Sequence, residues 1–248
     1  MHQSIPRALS ASNLKLDISG IRLRAKTLGD QMQALVKAVF ALIGMSLLAY
    51  VAWRWQINGW PSLLWVATVV LMMTIRAPFA DKTKTNEITE RTSASVERGL
   101  LILVSFGGTI LPLTHLATGI FDFANYQLPE WAAGGGGVLL IFGLWLFWKS
   151  HADLGRNWSV TTELHEDQKL ITTGVYRTIR HPMYSAIWIL FLTQPLFIQN
   201  WIAGLSGPIA FAIMYVLRVP YEEKMMRERF GQAYDDYCAR SGRILPRF

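Results

Sequence analysis

Six apolar blocks alternate with polar stretches along this chain of 248 residues. Most of the blocks approach the roughly 20 residues that a helix needs to cross the hydrocarbon core of a bilayer. They largely lack the polar face that a helix in a soluble core presents to water. The pattern therefore predicts an all-α fold, a polytopic integral membrane helical bundle with about six spans, near residues 33–53, 60–76, 98–119, 132–149, 183–197 and 200–217.

The last two blocks are short, and polar or small residues next to a proline interrupt both of them. Gln194-Pro195 lies in the fifth block, and Gly207-Pro208 lies in the sixth. We therefore predict that these two blocks form one tight helical hairpin.

Basic residues are concentrated in alternate polar stretches. Of the 24 lysines and arginines, 23 lie in the segments 1–37, 76–98, 149–180 and 218–247. The intervening loops hold only Arg54. Because cytoplasmic loops of membrane proteins carry an excess of Lys and Arg, the distribution predicts cytoplasmic N- and C-termini. In a bacterium, the membrane would be the inner membrane.

Composition narrows the possible functions. Charged residues make up 17% of the chain, against roughly 25% in soluble domains, and the formal net charge is +7. Since the basic residues lie beside apolar spans, we expect contact with anionic lipid headgroups of the bilayer and no binding of nucleic acid. Cys238 is the only cysteine, which excludes thiolate metal clusters. His165 has no second histidine at ligand spacing, so we predict no metal site.

The character of the chain changes after the fourth block. We predict a cytoplasmic N-terminal arm at residues 1–32, a four-span membrane region at 33–149 and a catalytic region at 150–248. The stretch 150–181 is too long for a simple connection between helices. In the segment 218–248, the residues at every fourth position share one face of a predicted helix: Glu222, Met226, Phe230 and Tyr234.

His181-Pro182 marks the start of the fifth block. A residue before proline is extended, and proline suits the first position of a helix, so His181 is expected at the helix N-terminus. There it could donate a hydrogen bond to a ligand oxygen or stack on a base, or it could be a simple interfacial cap. Arg177 and Arg180 precede it, and an arginine fork binds carboxylate or phosphate at two points. Headgroup contact is the alternative, and it is the preferred interpretation for Arg177 alone.

Glu222 and Glu223 follow the sixth block and, on a helix, point about 100° apart. Glu223 can pair with Arg227 at i,i+4. That pairing leaves Glu222 for a ligand hydroxyl or cation. A carboxylate this close to hydrocarbon is costly unless it is paired, so Glu222 is a candidate functional residue.

These residues resemble the motifs of the isoprenylcysteine carboxyl methyltransferase family. The resemblance covers about residues 150–248 and follows the family's order of motifs. Leu154-Gly155 with Trp158 is similar to the loop that leads into the family's site. The stretch 170–184 is similar to its Gly-Pro-Tyr-Arg and Arg-His-Pro-x-Tyr signature. The C-terminal match comprises Glu222-Glu223, Met226, Phe230-Gly231, Tyr234, Tyr237, Arg243 and Pro246.

The resemblance implies a membrane methyltransferase that uses S-adenosylmethionine and takes a hydrophobic or lipid-like acceptor from the bilayer. An isoprenylcysteine-type carboxyl is the expected acceptor, with a lipid amine or thiol as alternatives. The candidate catalytic residues are Arg180, Glu222 and Arg243. The candidate cofactor-binding residues are Gly174, Tyr176, His181, Pro182, Tyr184, Glu222 and Glu223.

Two residues depart from the family pattern, and two other functions remain open. Val175 replaces a proline, which predicts a less rigid loop, and Ala186 replaces a glycine, which narrows the approach to the cofactor. Sterol reductases resemble the family in this half of the chain, so an NADPH-dependent reductase is an alternative, with Arg240, Arg243 and Arg247 available for a phosphate. A non-catalytic membrane protein is a second alternative. The sequence makes no prediction of oligomeric state.

Overall fold

Apolar runs bounded by polar or turn-forming residues become the helices of this protein. The structure, a computed structural model, describes residues 11–82, 88–91, 94–155, 163–165 and 169–247. The helices within these ranges are α1 (Ala11–Trp53), α2 (Trp55–Asn58), α3 (Pro61–Lys82), α4 (Ala94–Ser105), α5 (Leu111–Thr118), α6 (Glu130–Leu154), α7 (Pro182–Ile198), α8 (Trp201–Phe230) and α9 (Gln232–Arg240). Two short strands, β1 (Ile88–Arg91) and β2 (Glu163–His165), pair antiparallel.

The predicted all-α membrane bundle is confirmed. In the described part of the chain, five helical segments are long and apolar enough to cross a membrane: Asp30–Trp53, Pro61–Phe79, Ser95–Thr118, Glu130–Leu154 and Trp201–Phe230. Helix α7 is also apolar but has only 17 residues. Because α7 is shorter than a usual span, the count of six spans stays a prediction.

The chain divides into two compact units, residues 1–49 and residues 50–248. Most of α1 belongs to the first unit. The predicted N-terminal arm is helical from Ala11 onward and continues without a break into the first predicted span. Its first ten residues lie outside the described part of the chain.

The third span contains a π-helical turn, Phe106–Ile110, between α4 and α5. The carbonyl of Gly107 in this turn accepts hydrogen bonds from Ser206 Oγ at 2.6 Å and from Gln194 Nε2 at 3.3 Å. An unsatisfied carbonyl inside an apolar bundle would cost several kcal/mol. These side chains from α7 and α8 therefore tie the third span to the last two helices.

Helices α7 and α8 form the predicted hairpin, joined by Gln199 and Asn200. Gln199 adopts a left-handed backbone conformation with φ 49°. The Oδ1 atom of Asn200 accepts hydrogen bonds from the N–H groups of Ile202 and Ala203 at 3.0 and 2.8 Å and so caps α8. Its Nδ2 atom donates to the carbonyl of Phe121 and to Asn125 Oδ1, both at 2.7 Å.

Further hydrogen bonds gather around this turn. The hydroxyl of Tyr126 donates to the Pro195 carbonyl at 2.6 Å. Arg54 donates to the carbonyls of Leu116 and Ala117 at the last turn of α5, where a cation is favourable. Asn58 Nδ2 also donates to the Leu116 carbonyl at 2.9 Å. We call this region the hairpin end; it comprises Arg54, Asn58, the residues 119–126, Gln199 and Asn200.

Helix α8 runs 13 residues beyond the predicted end of the sixth block and carries the glutamate pair with it. It ends at Gly231, which has φ 53°, a conformation that favours glycine. Because of this break, Tyr234 lies on α9. The predicted single helical face from Glu222 to Tyr234 is therefore wrong. Beside the glutamates, a buried apolar cluster joins α4, α7 and α8: Leu100, Tyr184, Phe211, Met214 and Val219.

Candidate active site

The start of α7 forms the centre of the candidate site. His181 precedes the helix with φ −122° and ψ 58°, and Pro182 occupies the first turn, as their order in the sequence predicted. The backbone N–H of His181 donates to the carbonyl of Arg243 at 2.9 Å. The imidazole lies edge-on to Tyr184, with ring centroids 5.5 Å apart. His181 is thus held between α7 and the C-terminal segment, residues 241–247.

Glu223 is the more buried of the two adjacent carboxylates, with 3% of its side chain exposed. It accepts two hydrogen bonds from Arg243, from Nε at 3.0 Å and from Nη2 at 2.7 Å. Arg180 Nε lies 3.4 Å from the same carboxylate. His181 Nε2 is also 3.4 Å away, without the geometry of a hydrogen bond. This fork-to-fork contact raises the pKa of Arg243.

The predicted pair between Glu223 and Arg227 is wrong. Arg227 instead contacts Asp235 on α9, with Nε and Oδ1 3.1 Å apart. The physical reason is the turn at Gly231, which brings α9 back beside α8. Glu223 points toward α7, where the guanidinium groups of Arg180 and Arg243 meet it.

Glu222 is paired too, which corrects the prediction that it would be left unpaired. Its Oε1 atom accepts a hydrogen bond from the Tyr184 hydroxyl at 2.8 Å and another from Arg218 Nε at 2.8 Å. Its Oε2 atom lies 3.7 Å from Nδ1 of His181. The side chain nevertheless keeps 20% of its surface exposed. Of the two carboxylates, Glu222 is therefore the one that a ligand can still reach.

Arg218 and Glu97 extend the cluster to α4, and the sequence analysis identified neither. Arg218 Nη2 lies 3.1 Å from Oε1 of Glu97, and both side chains are buried. The spacing from Arg218 to Glu222 is i,i+4, a signal that the sequence already contained. Nothing in the sequence linked Glu97 to this cluster. We call the whole set the charged end; it comprises Glu97, Arg180, His181, Arg218, Glu222, Glu223 and Arg243.

The C-terminal segment covers the start of α7. Backbone hydrogen bonds join it to the residues before the helix, from Arg180 N–H to the Gly242 carbonyl at 2.8 Å and from Gly242 N–H to the Thr178 carbonyl at 2.9 Å. Ser185 Oγ donates to the carbonyl of Ile244 at 2.6 Å. The guanidinium of Arg180 also donates to the carbonyl of Ser241. The segment is therefore held by backbone bonds as well as by the ion pairs of Glu223.

Gly174 and Tyr176 lie in a neighbouring 3₁₀ turn and fix the loop to α6 and α9. Gly174 has φ 59°, and a Cβ atom there would collide with the carboxylate of Asp153. Tyr176 donates from its hydroxyl to the Ser150 carbonyl at 3.3 Å, and its own carbonyl accepts from the Tyr237 hydroxyl at 2.5 Å. Burial raises the pKa of Tyr237 to about 12, so this hydroxyl remains a donor at neutral pH. Trp158 lies outside the described residues.

The two departures from the family pattern, Val175 and Ala186, have different surroundings. The backbone N–H of Val175 donates to Asp153 Oδ2 at 2.9 Å, a bond that proline cannot make. Lys149 holds the same carboxylate through a contact of 2.5 Å. Asp153 therefore supplies a constraint on the loop where the proline is missing. Ala186 is fully buried on α7.

In chemical terms, the charged end offers one reachable carboxylate beside aromatic rings. Tyr184 lies between Glu222 and an aromatic group formed by Phe211 and Tyr215, with ring centroids 5.9 and 5.8 Å from its own. A carboxylate can accept from hydroxyl or ammonium groups, and aromatic faces attract cations. The arrangement suits a ligand that carries a positive charge and several hydrogen-bond donors.

Comparisons with known proteins match this chain to methyltransferases. The family model "Phospholipid methyltransferase" matches residues 131–233. A probable protein-S-isoprenylcysteine O-methyltransferase of Oryza sativa subsp. indica is 33% identical over 159 residues, covering 62% of this chain and 80% of the relative. The protein-S-isoprenylcysteine O-methyltransferase B of Arabidopsis thaliana is 28% identical over 130 residues, covering 52% and 66%.

A solved structure also shares the fold. The eukaryotic intramembrane Ras methyltransferase ICMT (isoprenylcysteine carboxyl methyltransferase) superposes with a TM-score of 0.52 at 18% identity, covering 82% of this chain and 74% of that chain. At this identity, the likeness concerns the fold, whereas the rice relative carries the evidence from sequence. This chain belongs to the isoprenylcysteine carboxyl methyltransferase family and is an integral membrane methyltransferase.

Proposed function

We propose that this protein transfers the methyl group of S-adenosylmethionine to the carboxyl group of a hydrophobic, isoprenylcysteine-type acceptor at the cytoplasmic membrane face. The observation that carries the proposal is the convergence of His181, Tyr184 and Glu222 at the start of α7, beneath the C-terminal segment. The rice and Arabidopsis relatives are named for this activity.

The donor set fits this cofactor. Glu222 is suited to the ribose hydroxyls or the amino group, because its carboxylate is held by Arg218 and remains partly exposed. Tyr184 presents an aromatic ring beside it, and such rings attract a sulfonium cation. Half of the Arg243 side chain is exposed, so its guanidinium can also reach a carboxylate of the cofactor or the acceptor. Gly174 and Tyr176 would hold the loop that closes the cofactor site.

When bound, S-adenosylmethionine supplies an electrophilic methyl group, which an acceptor oxygen can attack in line with the departure of S-adenosylhomocysteine. An acceptor carboxylate is already ionised at neutral pH, so the residues of the site have no proton to remove. Their task is to hold two reactants in line and to exclude water. Such positioning can supply roughly 7–11 kcal/mol of the barrier. Arg180 and Arg243 are the residues that we assign to orienting the acceptor.

A lipid amine is the second candidate acceptor. The match to the phospholipid methyltransferase model over residues 131–233 favours it. A protonated amine must lose its proton before it can attack, which calls for a base within hydrogen-bond reach. His181 is the imidazole in the cluster that could accept this proton, and its side chain is about one-tenth exposed.

Calorimetric titration of the detergent-purified protein with S-adenosylhomocysteine tests the cofactor, with NADPH in a parallel titration. A ligand at 100 times its dissociation constant should also stabilise the protein by about 2.7 kcal/mol. We expect binding of S-adenosylhomocysteine alone, weakened but still measurable in Glu222→Gln and lost in His181→Ala. Lys224→Gln is the matched control, because Lys224 is exposed on the same helix. Binding of NADPH alone would support the reductase.

Transfer of labelled methyl groups then distinguishes the acceptors. We expect label in a farnesylated cysteine with a free carboxyl and none in phosphatidylethanolamine vesicles. The reverse result would support the lipid amine. If neither acceptor is labelled by protein that binds S-adenosylhomocysteine, the cofactor assignment stands and the proposed acceptor does not.

A further inference from the structure

The charged end contains a buried pair that lies outside the predicted site residues. Arg218 on α8 contacts two carboxylates, Glu222 through Nε at 2.8 Å and Glu97 through Nη2 at 3.1 Å. Glu97 lies in the first turn of α4, within the part of the chain that we predicted as a plain membrane region. Two edges of one guanidinium thus join α4 to the reachable carboxylate of the site.

Burying these charged side chains costs free energy of desolvation, so we expect a functional reason for the pair. Only 4% of the Glu97 side chain and 10% of the Arg218 side chain are exposed. Replacing a buried ion pair by apolar residues is often neutral or stabilising, so stability alone does not explain such a pair. Ionised groups at membrane depth are usually paired and functional. Of the two carboxylates in contact with Arg218, Glu222 is the more exposed, so a ligand served by this pair would meet it at Glu222.

The geometry of Glu222 indicates what Arg218 does. Its Oε1 atom accepts from two donors on two helices, Arg218 Nε on α8 and the Tyr184 hydroxyl on α7. Two donors on one oxygen fix the rotation of the carboxylate. The other oxygen, Oε2, then lies on the side of His181. Without Arg218, Oε1 would lose one of these two donors, and the carboxylate could turn away from the position that a ligand needs.

We propose that Arg218 is a positioning residue that orients Glu222 toward the cofactor, and that Glu97 on α4 holds Arg218 in place. The proposal rests on the proposed function, since it assumes that Glu222 binds S-adenosylmethionine. It makes α4 part of the cofactor site, although no motif of the sequence lies there. Arg218 itself contacts no ligand in this scheme and acts through Glu222.

The test measures the dissociation constant of S-adenosylhomocysteine by calorimetry on the full-length protein in detergent. Arg218→Gln should weaken binding about 10- to 100-fold, the range expected when a charge-assisted hydrogen bond is lost. Arg218→Lys keeps the charge but cannot bridge two carboxylates, so it should restore part of the affinity. Glu97→Gln changes a single atom at the far carboxylate and should weaken binding less than Arg218→Gln does.

A double-mutant cycle separates positioning from a merely structural role. If Arg218 acts through Glu222, the double variant Arg218→Gln/Glu222→Gln should bind no more weakly than Glu222→Gln alone. Additive losses would overturn the proposal. So would wild-type affinity in the folded Arg218→Gln and Glu97→Gln proteins, even if their unfolding midpoints fall. Glu97→Gln provides the same readout if Arg218→Gln fails to fold.

The outcomes also separate this proposal from the proposed function. If the wild-type protein does not bind S-adenosylhomocysteine, both are overturned together. If it binds and only the variants at Arg218 and Glu97 are unaffected, the methyltransferase assignment stands and the positioning role does not. Lys224→Gln, which removes an exposed charge six residues from Arg218, should leave the dissociation constant unchanged.

Discussion

The hairpin end and the charged end of the bundle are held by different chemistry. At the hairpin end, the amide of Asn200 and the hydroxyl of Tyr126 bind neighbouring backbone groups. At the charged end, Arg218, Arg180 and Arg243 bind carboxylates that are largely withdrawn from water. Both ends satisfy polar groups at the ends of apolar helices. Arg54 at the hairpin end binds backbone carbonyls, whereas the arginines of the charged end are paired with several carboxylates.

This difference indicates what the charged end is for. Neutral side chains are sufficient to cap and join helices, as Asn200 does for α8. Buried ions are expensive in desolvation and are a weak source of net stability. The excess of charge at one end therefore supports a ligand site there, and it gives each end a distinct expected response to mutation.

Glu223→Gln should have the largest effect. It removes the charge that pairs with Arg243 and Arg180 but keeps the shape of the side chain. Breaking a buried ion pair costs about 3–5 kcal/mol. Because Arg243 is half exposed, we expect a loss of about 3 kcal/mol of unfolding free energy here. This loss corresponds to a fall of about 6–12 °C in the thermal unfolding midpoint. Binding of S-adenosylhomocysteine should weaken as well, because the C-terminal segment loses its anchor.

The control for that variant is Glu228→Gln, which removes an exposed carboxylate paired with Lys224 on the same helix. Exposed pairs contribute about 0–1 kcal/mol, so its midpoint should barely move. Equal midpoints for Glu223→Gln and the wild type would show that the ion pairs of Glu223 do not hold the C-terminal segment in place.

Asn200→Ala should cost about 2 kcal/mol, since it removes the cap of α8 and leaves the Phe121 carbonyl and Asn125 without their donor. The dissociation constant of S-adenosylhomocysteine should stay within about twofold of the wild type, because the change lies at the hairpin end. Thermal unfolding and calorimetry on the same sample provide both values. A clear loss of affinity would show that the two ends are coupled.

The fold was more predictable from sequence than the site. Apolar blocks and prolines carry local information, so the hairpin of α7 and α8 and the position of His181 at a helix start could be predicted. The residue at which α8 ends could not be predicted. Hydropathy falls after Leu217, but the backbone stays helical to Phe230 because Arg218, Glu222 and Glu223 find partners on other elements.

The pairing of the glutamates depends on contacts that are distant in sequence. Local spacing favoured Glu223 with Arg227, whereas the folded chain brings Arg243 from 20 residues away. Glu97 reaches the same cluster from α4, and no periodicity connects it to α8. Ion pairs at i,i+4 can be read from a sequence, but those made by tertiary packing need the fold.

Gly174→Ala tests the loop beside the charged end. A residue other than glycine at φ 59° costs roughly 1–2 kcal/mol, and the added Cβ would displace Asp153 from the Val175 N–H. We expect weaker binding of S-adenosylhomocysteine by calorimetry. Gly155→Ala is the matched control, because Gly155 also has positive φ but no atom of the described residues lies within 4 Å of its would-be Cβ. Similar affinities for the two variants would show that the contact between Asp153 and the loop does not affect ligand binding.

Two tyrosines provide the finest comparison, with the smallest expected effects. Tyr126 and Tyr237 each donate a hydroxyl hydrogen bond to a backbone carbonyl, of Pro195 at the hairpin end and of Tyr176 near the charged end. Burial raises the pKa of both hydroxyls, that of Tyr237 to about 12, so both are donors at neutral pH. Replacing either by phenylalanine deletes a single oxygen and should cost about 1 kcal/mol of unfolding free energy.

Since the stability costs are matched, ligand affinity alone distinguishes the two ends. Tyr237→Phe should loosen the turn that contains Tyr176 and weaken binding of S-adenosylhomocysteine, whereas Tyr126→Phe should leave the dissociation constant unchanged. The dissociation constants are measured by calorimetry under conditions in which the same fraction of each variant is folded. If both affinities fall equally, the losses follow global stability, and the Tyr176 turn has no particular part in closing the site. A loss confined to Tyr237→Phe would tie this turn to the ligand by a neutral hydrogen bond, independently of the ion pairs.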